Sequence, residues 1–199
     1  MCCRFFMPRN LDNEEALRIL REAERRYKSL GGDGTIALGE VAPSETVAAL
    51  ARGRNGEPGG FPMRWGFTRR DGKGLIINTR SETAGEKPIF RESMMKRRCL
   101  IPAAWYFEWE KRGKEKIRYA IRPKEDGVMY LAGIYRFEEK ERLPVLSILT
   151  REPAEEIAFI HDRMPVIFSE KHRDAWLRRD ADPREMLEKC EVQMRFEIA

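Results

Sequence analysis

Long hydrophobic runs are missing from this sequence of 199 residues. No apolar stretch approaches the roughly 20 residues that span a bilayer, and the N-terminal segment lacks the apolar stretch of a signal peptide. We therefore expect a cytoplasmic protein with no membrane partner. Glycine and proline are also few, at 15 and 11 residues, while 42% of the residues are hydrophobic. This composition argues against a fibrous repeat or a disordered chain and supports one domain over residues 1–199.

Cysteine and histidine are scarce as well. The four cysteines, Cys2, Cys3, Cys99 and Cys190, show neither a disulfide framework nor the spacing of metal ligands, so we expect free thiols. A glycine-rich phosphate loop is absent too, and we predict no metal and no cofactor. Cys2 is unusual in one respect, because removal of Met1 would leave its thiol beside a free α-amine.

Charged residues, by contrast, are abundant and of both signs. The chain carries 38 Lys and Arg against 33 Asp and Glu, a net charge of +5. The basic residues form short runs at Arg69-Arg70, Lys96-Arg97-Arg98 and Arg178-Arg179. This excess permits nucleic-acid binding without requiring it, and for any single run a solvated face is the simpler interpretation.

The pattern of apolar residues predicts an α+β fold. Residues at steps of three and four predict a helix over Asp12–Leu30, with Asp12 and Glu15 as a capping box. A short second helix is expected from an N-cap at Ser44. Nine short strands then follow between Met63 and Ile198, interrupted by four helices. We expect a curled, barrel-like, mainly antiparallel sheet flanked by several helices.

His161 is one of only two histidines and lies in the segment His161-Asp162-Arg163-Met164-Pro165. The segment comes between a predicted helix and a short strand, a kind of junction that often presents functional groups. An acid/base role and a structural role at the helix end are equally compatible with this segment alone.

Glu108 is embedded in aromatic residues on a predicted strand, in Trp105-Tyr106-Phe107-Glu108-Trp109. Alternation puts Glu108 on the face of Tyr106 and opposite Trp109. A carboxylate flanked by a core is a candidate for acid/base work, although a side chain pointing to water is the commoner case.

Asn78 and Arg80 follow a short apolar strand, where they can point the same way and hold a polar group and a phosphate. A simple turn at the strand end is an equal alternative. Trp65 could stack on an unpaired base, but tryptophan is usually highly buried, which favours an ordinary core tryptophan.

Together these segments resemble the SOS-response-associated peptidase (SRAP) family. The resemblance spans nearly the whole chain and rests on six blocks in order: Cys2 with Arg4-Phe5, Trp65-Gly66-Phe67, Asn78-Thr79-Arg80-Ser81-Glu82, Arg98-Cys99-Leu100-Ile101-Pro102-Ala103, Phe107-Glu108-Trp109, and His161-Asp162-Arg163-Met164-Pro165. It implies the SRAP fold and a protein that recognises abasic sites in single-stranded DNA and links itself to them through the N-terminal cysteine.

The resemblance also implies roles for individual residues. Cys2 matches the nucleophile, and the other positions matching the family's active site are Asn78, Glu108 and His161. Arg4, Arg80 and Arg163 match positions expected to face the DNA, and Trp65 and Trp109 are expected to line the site. The sequence departs from the family where Cys3 replaces the usual glycine and where Ala104-Trp105 replaces an Asp-Gly pair.

The chemistry of a free N-terminal cysteine agrees with this implication. Its amine can condense with the open-chain aldehyde of an abasic sugar, and its thiol can then close a thiazolidine ring. We expect a monomer that acts at the nucleoid, with self-processing peptidase and weak lyase or reversal activity. The alternatives are a non-covalent module for single-stranded or modified-base DNA and a thiol peptidase acting on other proteins.

Overall fold

The computed structural model describes residues 2–8, 13–125, 127–188, 190 and 192–199. Runs of strands are separated by a few helices along these residues, which confirms the predicted α+β class. The described strands are β1 (Arg4–Met7), β2 (Gly39–Val41), β3 (Thr46–Arg52), β4 (Pro58–Trp65), β5 (Phe67–Thr68), β6 (Leu75–Ile76), β7 (Asn78–Arg80), β8 (Arg98–Ala103), β9 (Trp105–Arg112), β10 (Glu115–Pro123), β11 (Met129–Arg136), β12 (Val145–Arg151), β13 (Met164–Pro165), β14 (Ile167–Phe168) and β15 (Met194–Ile198). The described α-helices are α1 (Glu14–Ser29), α2 (Ser81–Ala84), α3 (Pro88–Lys96), α4 (Arg173–Leu177) and α5 (Pro183–Glu188), with a 3₁₀ turn at Glu155–Ile157.

Two curled sheets form the framework. The first has the strand order β15-β10-β9-β1-β2, and all its pairs are antiparallel. In the second, β12, β4, β3, β8 and β11 pair in turn and β11 pairs back to β12, which makes a closed ring of strands. Strand β12 runs parallel to both β4 and β7, which adds parallel pairs to the otherwise antiparallel sheet.

Helix α1 begins as its sequence demands and packs against the second sheet. The side chain of Asn13 caps it by accepting a hydrogen bond of 2.9 Å from the Ala16 N–H. Asp12, the expected cap, lies outside the described residues. The helix lies close to β4 at Gly60, where a Cβ atom would overlap the Ile19 carbonyl oxygen. Only glycine fits at this contact.

The segment after Ser44 is a strand, so the prediction of a short helix there is wrong. Ser44 has a φ of 74°, outside the extended conformation of an N-cap residue. Residues Val47–Ala51 are buried on both faces of β3, which lies between β4 and β8 in the ring. A short continuous apolar run fits a buried strand or a helix equally well, and here the strand pairing decides.

Hydrophobic side chains form two clusters on opposite faces of the second sheet. One includes Cys2, Phe5, Trp65 and Tyr106 and joins the two sheets. The other lies under the helices. Along β8 the residues alternate between them, as the period of a strand requires: Cys99, Ile101 and Ala103 belong to the first cluster and Leu100 to the second. Within the described residues, no helix is long and apolar enough to cross a membrane.

Candidate active site

Cys2 lies at the start of the N-terminal strand, inside the core that joins the two sheets. Its side chain is fully buried, and its thiol donates a long contact of 3.7 Å to the Arg4 carbonyl oxygen. Burial, followed by the nearby negative charge of Glu108, raises the pKa of the Cys2 thiol well above its ordinary value. The thiol is therefore held protonated beside a carboxylate. All four cysteines are free thiols.

Asn78 connects strand β7 to the N-terminus. Its Nδ2 atom donates a hydrogen bond of 2.7 Å to the Cys2 carbonyl oxygen, across 76 positions of sequence. Strand β7 holds Asn78 in place because it pairs in parallel with β12, with Asn78 opposite Ile148. The Oδ1 atom of Asn78 is buried and has no hydrogen-bond partner among the described residues. It can accept a hydrogen bond from an amine or a hydroxyl group near Cys2.

Glu108 faces inward from β9, so its side chain does not point to water. Only 4% of the residue is exposed, and its Oε1 accepts a hydrogen bond of 3.4 Å from the Trp109 N–H. Tyr106 lies on the same face, as the alternation predicts. Burial, then the proximity of Cys2 and Glu108, raises the pKa of the Tyr106 phenol. Tyr106 thus belongs to the site, although sequence reasoning assigned it no role.

His161 and Arg163 lie in the turn before β13, which pairs with β12 at Thr150. The Nδ1 atom of His161 lies 2.6 Å from Asp162 Oδ1 and 3.1 Å from the backbone N–H of Arg163. A protonated Nδ1 would donate to Asp162, whereas an unprotonated one accepts from the Arg163 N–H. The ring can therefore exchange a proton without losing a partner on this side.

The guanidinium of Arg163 joins this turn to the segment after β7. It makes two parallel hydrogen bonds, of 2.8 and 2.9 Å, to the carboxylate of Glu82, and a third of 2.7 Å to the Thr150 carbonyl. Burial is the largest influence and raises the pKa of Glu82, but the hydrogen bonds from Arg163 and from the Glu82 backbone, together with the charges of Arg163 and Arg80, outweigh it and the net pKa is lowered. Both terminal nitrogens of Arg163 are engaged, so the expected contact with DNA would require phosphate to replace Glu82.

The other two arginines expected at the DNA are more accessible. Arg80 is exposed at the end of β7, and its side chain makes no hydrogen bond or ion pair within the described part of the chain. Arg4 is half-exposed, donates 2.8 Å to the Cys3 carbonyl and lies 3.5 Å from Glu40.

Trp109 and Trp65 lie on different sides of the first sheet. Trp109 is on the outer face, opposite to Glu108, and the guanidinium of Arg118 lies 5.5 Å from its ring and 3.7 Å from that of Phe107. Arg118, which sequence reasoning missed, comes here only through the pairing of β10 with β9. Trp65 is fully buried and donates 3.0 Å from Nε1 to the Ile77 carbonyl. Its ring is part of the core and offers no open face for stacking on a base.

The structure thus brings together Cys2, Asn78 and Glu108, with Tyr106 beside them, and links the turn of His161 to the segment of Asn78 through Arg163 and Glu82. Among the residues that the structure describes, no three His, Cys, Asp or Glu side chains are grouped as metal ligands. The arrangement supplies a thiol, a carboxylate, an amide and an imidazole, which are groups for nucleophilic and proton-transfer chemistry.

Comparison with known proteins gives a family match over almost the whole chain. The sequence model of the SOS response associated peptidase (SRAP) family matches residues 1–197. The abasic site processing protein YoaM of Bacillus subtilis (strain 168) is 37% identical over 147 residues, which cover 69% of this chain and 64% of YoaM. The matched region is therefore just under two thirds of the length of that relative.

A second relative covers more of the chain at lower identity. The abasic site processing protein YedK of Escherichia coli (strain K12) is 27% identical over 191 residues, 94% of this chain and 84% of YedK. A crystal structure of a protein from Bacteroides thetaiotaomicron has a TM-score of 0.80 at 23% identity, covering 99% of this chain and 91% of that protein. This structural likeness shows the common fold.

Proposed function

The chain belongs to the SOS response associated peptidase (SRAP) family, and on that premise we propose that it processes abasic sites in DNA by linking itself covalently to them through Cys2. The relatives YoaM and YedK carry the name of abasic site processing proteins. The single observation that carries the proposal is the hydrogen bond from Asn78 to the Cys2 carbonyl, because it fixes the N-terminal residue beside a buried carboxylate.

The linkage needs a free α-amine, which removal of Met1 supplies. The amine attacks C1′ of the ring-opened abasic sugar, and loss of one water gives an imine. The Cys2 thiol then adds to the imine carbon, forming the C–S bond, and the thiol proton ends on the nitrogen. The product is a five-membered thiazolidine. An internal cysteine has no free amine and cannot form it.

Glu108 favours this order of events. Burial, and after it the negative charge of Glu108, raises the pKa of the Cys2 thiol, so the thiol stays neutral while the amine reacts. The same charge stabilises a cationic iminium formed at the neighbouring nitrogen, since opposite charges in a partly desolvated site attract strongly. Glu108 can also carry the thiol proton during ring closure.

Asn78 and His161 serve the two ends of the reacting group. Asn78 Nδ2 fixes the Cys2 carbonyl, and its unpartnered Oδ1 is available to orient the α-amine or a sugar hydroxyl. His161, with a partner for each protonation state of Nδ1, moves a proton to and from the sugar oxygen during ring opening. Arg163 acts as a positioning residue, because its pair with Glu82 joins the His161 turn to the segment that begins with Asn78.

We propose single-stranded DNA as the substrate form. Arg4 and Arg80 are accessible cations near Cys2 and Asn78 in sequence. Trp109 with Arg118 forms a half-buried stacking surface on the outer face of the first sheet, which also contains Arg4. Guanidinium groups and aromatic rings together are typical of sites that track a single strand.

The test is a denaturing gel with purified protein whose intact mass shows loss of Met1. The protein is incubated with a single-stranded oligonucleotide that carries one abasic site, beside Cys2→Ala and Cys3→Ala variants. We expect a heat-stable shifted band from the parent and from Cys3→Ala, and none from Cys2→Ala. Cys3→Ala is the matched control because it removes the adjacent thiol.

Other outcomes would overturn the proposal in distinct ways. A non-covalent DNA-binding module would give a complex in a native gel that Cys2→Ala leaves intact and that denaturation disrupts. A thiol peptidase would turn over a peptide substrate many times and leave the DNA unlinked. A heat-stable band that survives in Cys2→Ala would move the chemistry to another nucleophile.

A further inference from the structure

A strongly basic groove lies between the C-terminal ends of α1 and α3, the β3–β4 loop and the β11–β12 loop. We call this surface the basic groove; its volume is about 830 Å³. Seven of the residues that line it are Arg or Lys, and none of the described lining residues is Asp or Glu. Two of these cations have carboxylate partners just outside the groove, Arg26 with Glu22 at 3.6 Å and Arg97 with Glu92 at 3.1 Å. The other five equal the net charge of +5 of the whole chain, gathered on one surface.

The basic groove is separate from the candidate active site. Pro144, which lines the groove, immediately precedes the first residue of β12. The active-site segments meet that strand from its middle to its far end, where Ile148 lies opposite Asn78 and the Thr150 carbonyl accepts from Arg163. The two surfaces therefore adjoin different parts of one strand.

Several arginines in or beside the basic groove stabilise the fold through hydrogen bonds to backbone carbonyls. Arg98, just outside the groove, is buried and donates to backbone carbonyls of Met94, Met95 and Trp176, among others. Within the groove, Arg52 donates 3.1 Å to the Leu177 carbonyl and Arg142 donates 2.7 Å to the Gly31 carbonyl. Carbonyl partners position these guanidinium groups without cancelling their charge.

Three further cations of the groove make no stabilising side-chain contact of this kind within the described residues. Arg54, Lys96 and Arg179 are exposed, and none of them makes a side-chain hydrogen bond or ion pair within the described part of the chain. They come from three distant segments, and two of these are the basic runs that appear in the sequence as isolated surface features. Cations gathered in this way repel one another, which favours a bound polyanion.

Aromatic rings line the same groove. The guanidinium carbon of Arg26 lies over the Phe61 ring, 4.0 Å from the ring centroid. Tyr135 contacts Phe137 edge to face at 6.1 Å, and Phe137 is 69% exposed. Leu30, at the rim, is 51% exposed. Exposed apolar side chains among cations are costly in water and are typical of surfaces that stack bases between phosphate contacts.

We propose that the basic groove is a second nucleic-acid site, which holds a single-stranded DNA segment away from the reactive cysteine. Six of its seven cations are arginine, whose planar fork suits phosphate oxygens. The rings supply faces for unpaired bases, which an acidic protein surface would not use. The site requires neither Cys2 nor an abasic sugar, so it stands independently of the proposed linkage.

The test measures fluorescence anisotropy of a labelled, undamaged single-stranded oligonucleotide of about 20 nucleotides, longer than a single stacking site requires. All proteins carry Cys2→Ala, so that no covalent link contributes. Arg54→Ala/Arg179→Ala is compared with Arg21→Ala/Arg25→Ala, which removes two exposed arginines of α1 outside the groove. We expect the groove variant to weaken binding roughly tenfold and to lower the salt slope of log K by about 1.4, and the control to change affinity less than twofold.

Stacking is tested separately with Phe137→Ala, against Phe159→Ala as an exposed phenylalanine elsewhere. We expect Phe137→Ala to weaken binding about fivefold with no change in the salt slope, because no charge is lost. Thermal unfolding confirms that each variant is folded. Equal affinity and slope for the two arginine variants would overturn the proposal. Full affinity in Phe137→Ala would overturn the assignment to nucleic acid.

Discussion

Replacing Asn78 with alanine is expected to slow covalent linkage far more than it destabilises the protein. In the parent protein, Asn78 Nδ2 donates a hydrogen bond of 2.7 Å to the Cys2 carbonyl oxygen. The substitution removes this donor and leaves the buried carbonyl without that hydrogen bond. An unsatisfied buried carbonyl costs about 1–3 kcal/mol. If this cost is relieved by movement of Cys2 away from Glu108, the loss appears in the activation free energy. At 1.36 kcal/mol per tenfold in rate, linkage slows between about fivefold and about 160-fold.

Asn78→Asp provides a sharper version of the same prediction. The side chain keeps its shape, but an ionised carboxylate oxygen then faces the Cys2 carbonyl at the position of the donor. Two acceptors at this distance repel, so the rate at neutral pH falls below that of Asn78→Ala. Protonation of the introduced carboxyl restores a donor, so the rate relative to the parent recovers as the pH falls.

The assay is single-turnover linkage to an abasic oligonucleotide, quantified on denaturing gels across pH. Asn55→Ala is the control, because Asn55 is an exposed residue whose side chain accepts a hydrogen bond from the Glu57 N–H. It should leave the rate unchanged. A rate for Asn78→Ala within twofold of the parent, in a folded protein, would refute the anchoring role of Asn78.

Two further substitutions test the linkage chemistry, and a third tests the stability of the fold. Glu108→Gln removes the charge that helps raise the pKa of the Cys2 thiol, so that pKa falls. Linkage nevertheless slows at least tenfold, because the iminium loses its counter-charge. An unchanged single-turnover rate would contradict this. His161→Ala should slow linkage about a hundredfold while the Kd for DNA stays within twofold, and anisotropy beside the gel assay distinguishes the two. Arg98→Met leaves several buried carbonyls without a hydrogen-bond donor and should lower the free energy of unfolding by about 3–5 kcal/mol in urea titration. A loss below about 1 kcal/mol would contradict the structural role of Arg98.

Local sequence signals predicted the elements whose pattern is unambiguous. The spacing of apolar residues identified α1, and alternation along β9 put Glu108 on the face of Tyr106. The same reasoning was wrong for Thr46–Arg52, because a short apolar run does not distinguish a strand from a helix without its neighbours. Its assignment as β3 depends on pairing with β4 and β8.

Long-range contacts account for what the sequence could not predict at the site. The bidentate pair of Arg163 with Glu82 spans 81 positions, and Arg118 reaches Trp109 only through the register of β10 on β9. Neither charge pattern nor composition contains that register. The burial of Trp65, by contrast, agrees with the core interpretation, which followed from the usual burial of tryptophan.

The basic runs show the same limit on a larger scale. Lys96 and Arg179 belong to runs that look like ordinary solvated surface when each is considered alone. The fold brings them together with Arg54 in one groove. A surface assembled from distant segments is visible only once the strands that carry those segments are paired.

The central claim, linkage through the N-terminal cysteine, is tested most directly by peptide mapping of the crosslinked species. Protein without Met1 is reacted with an abasic oligonucleotide, digested with protease and nuclease, and analysed by tandem mass spectrometry. We expect the sugar remnant on Cys2, with a mass equal to the sum of the two partners less one water. A remnant on Cys3 or on a lysine, or an adduct on protein that retains Met1, would contradict it.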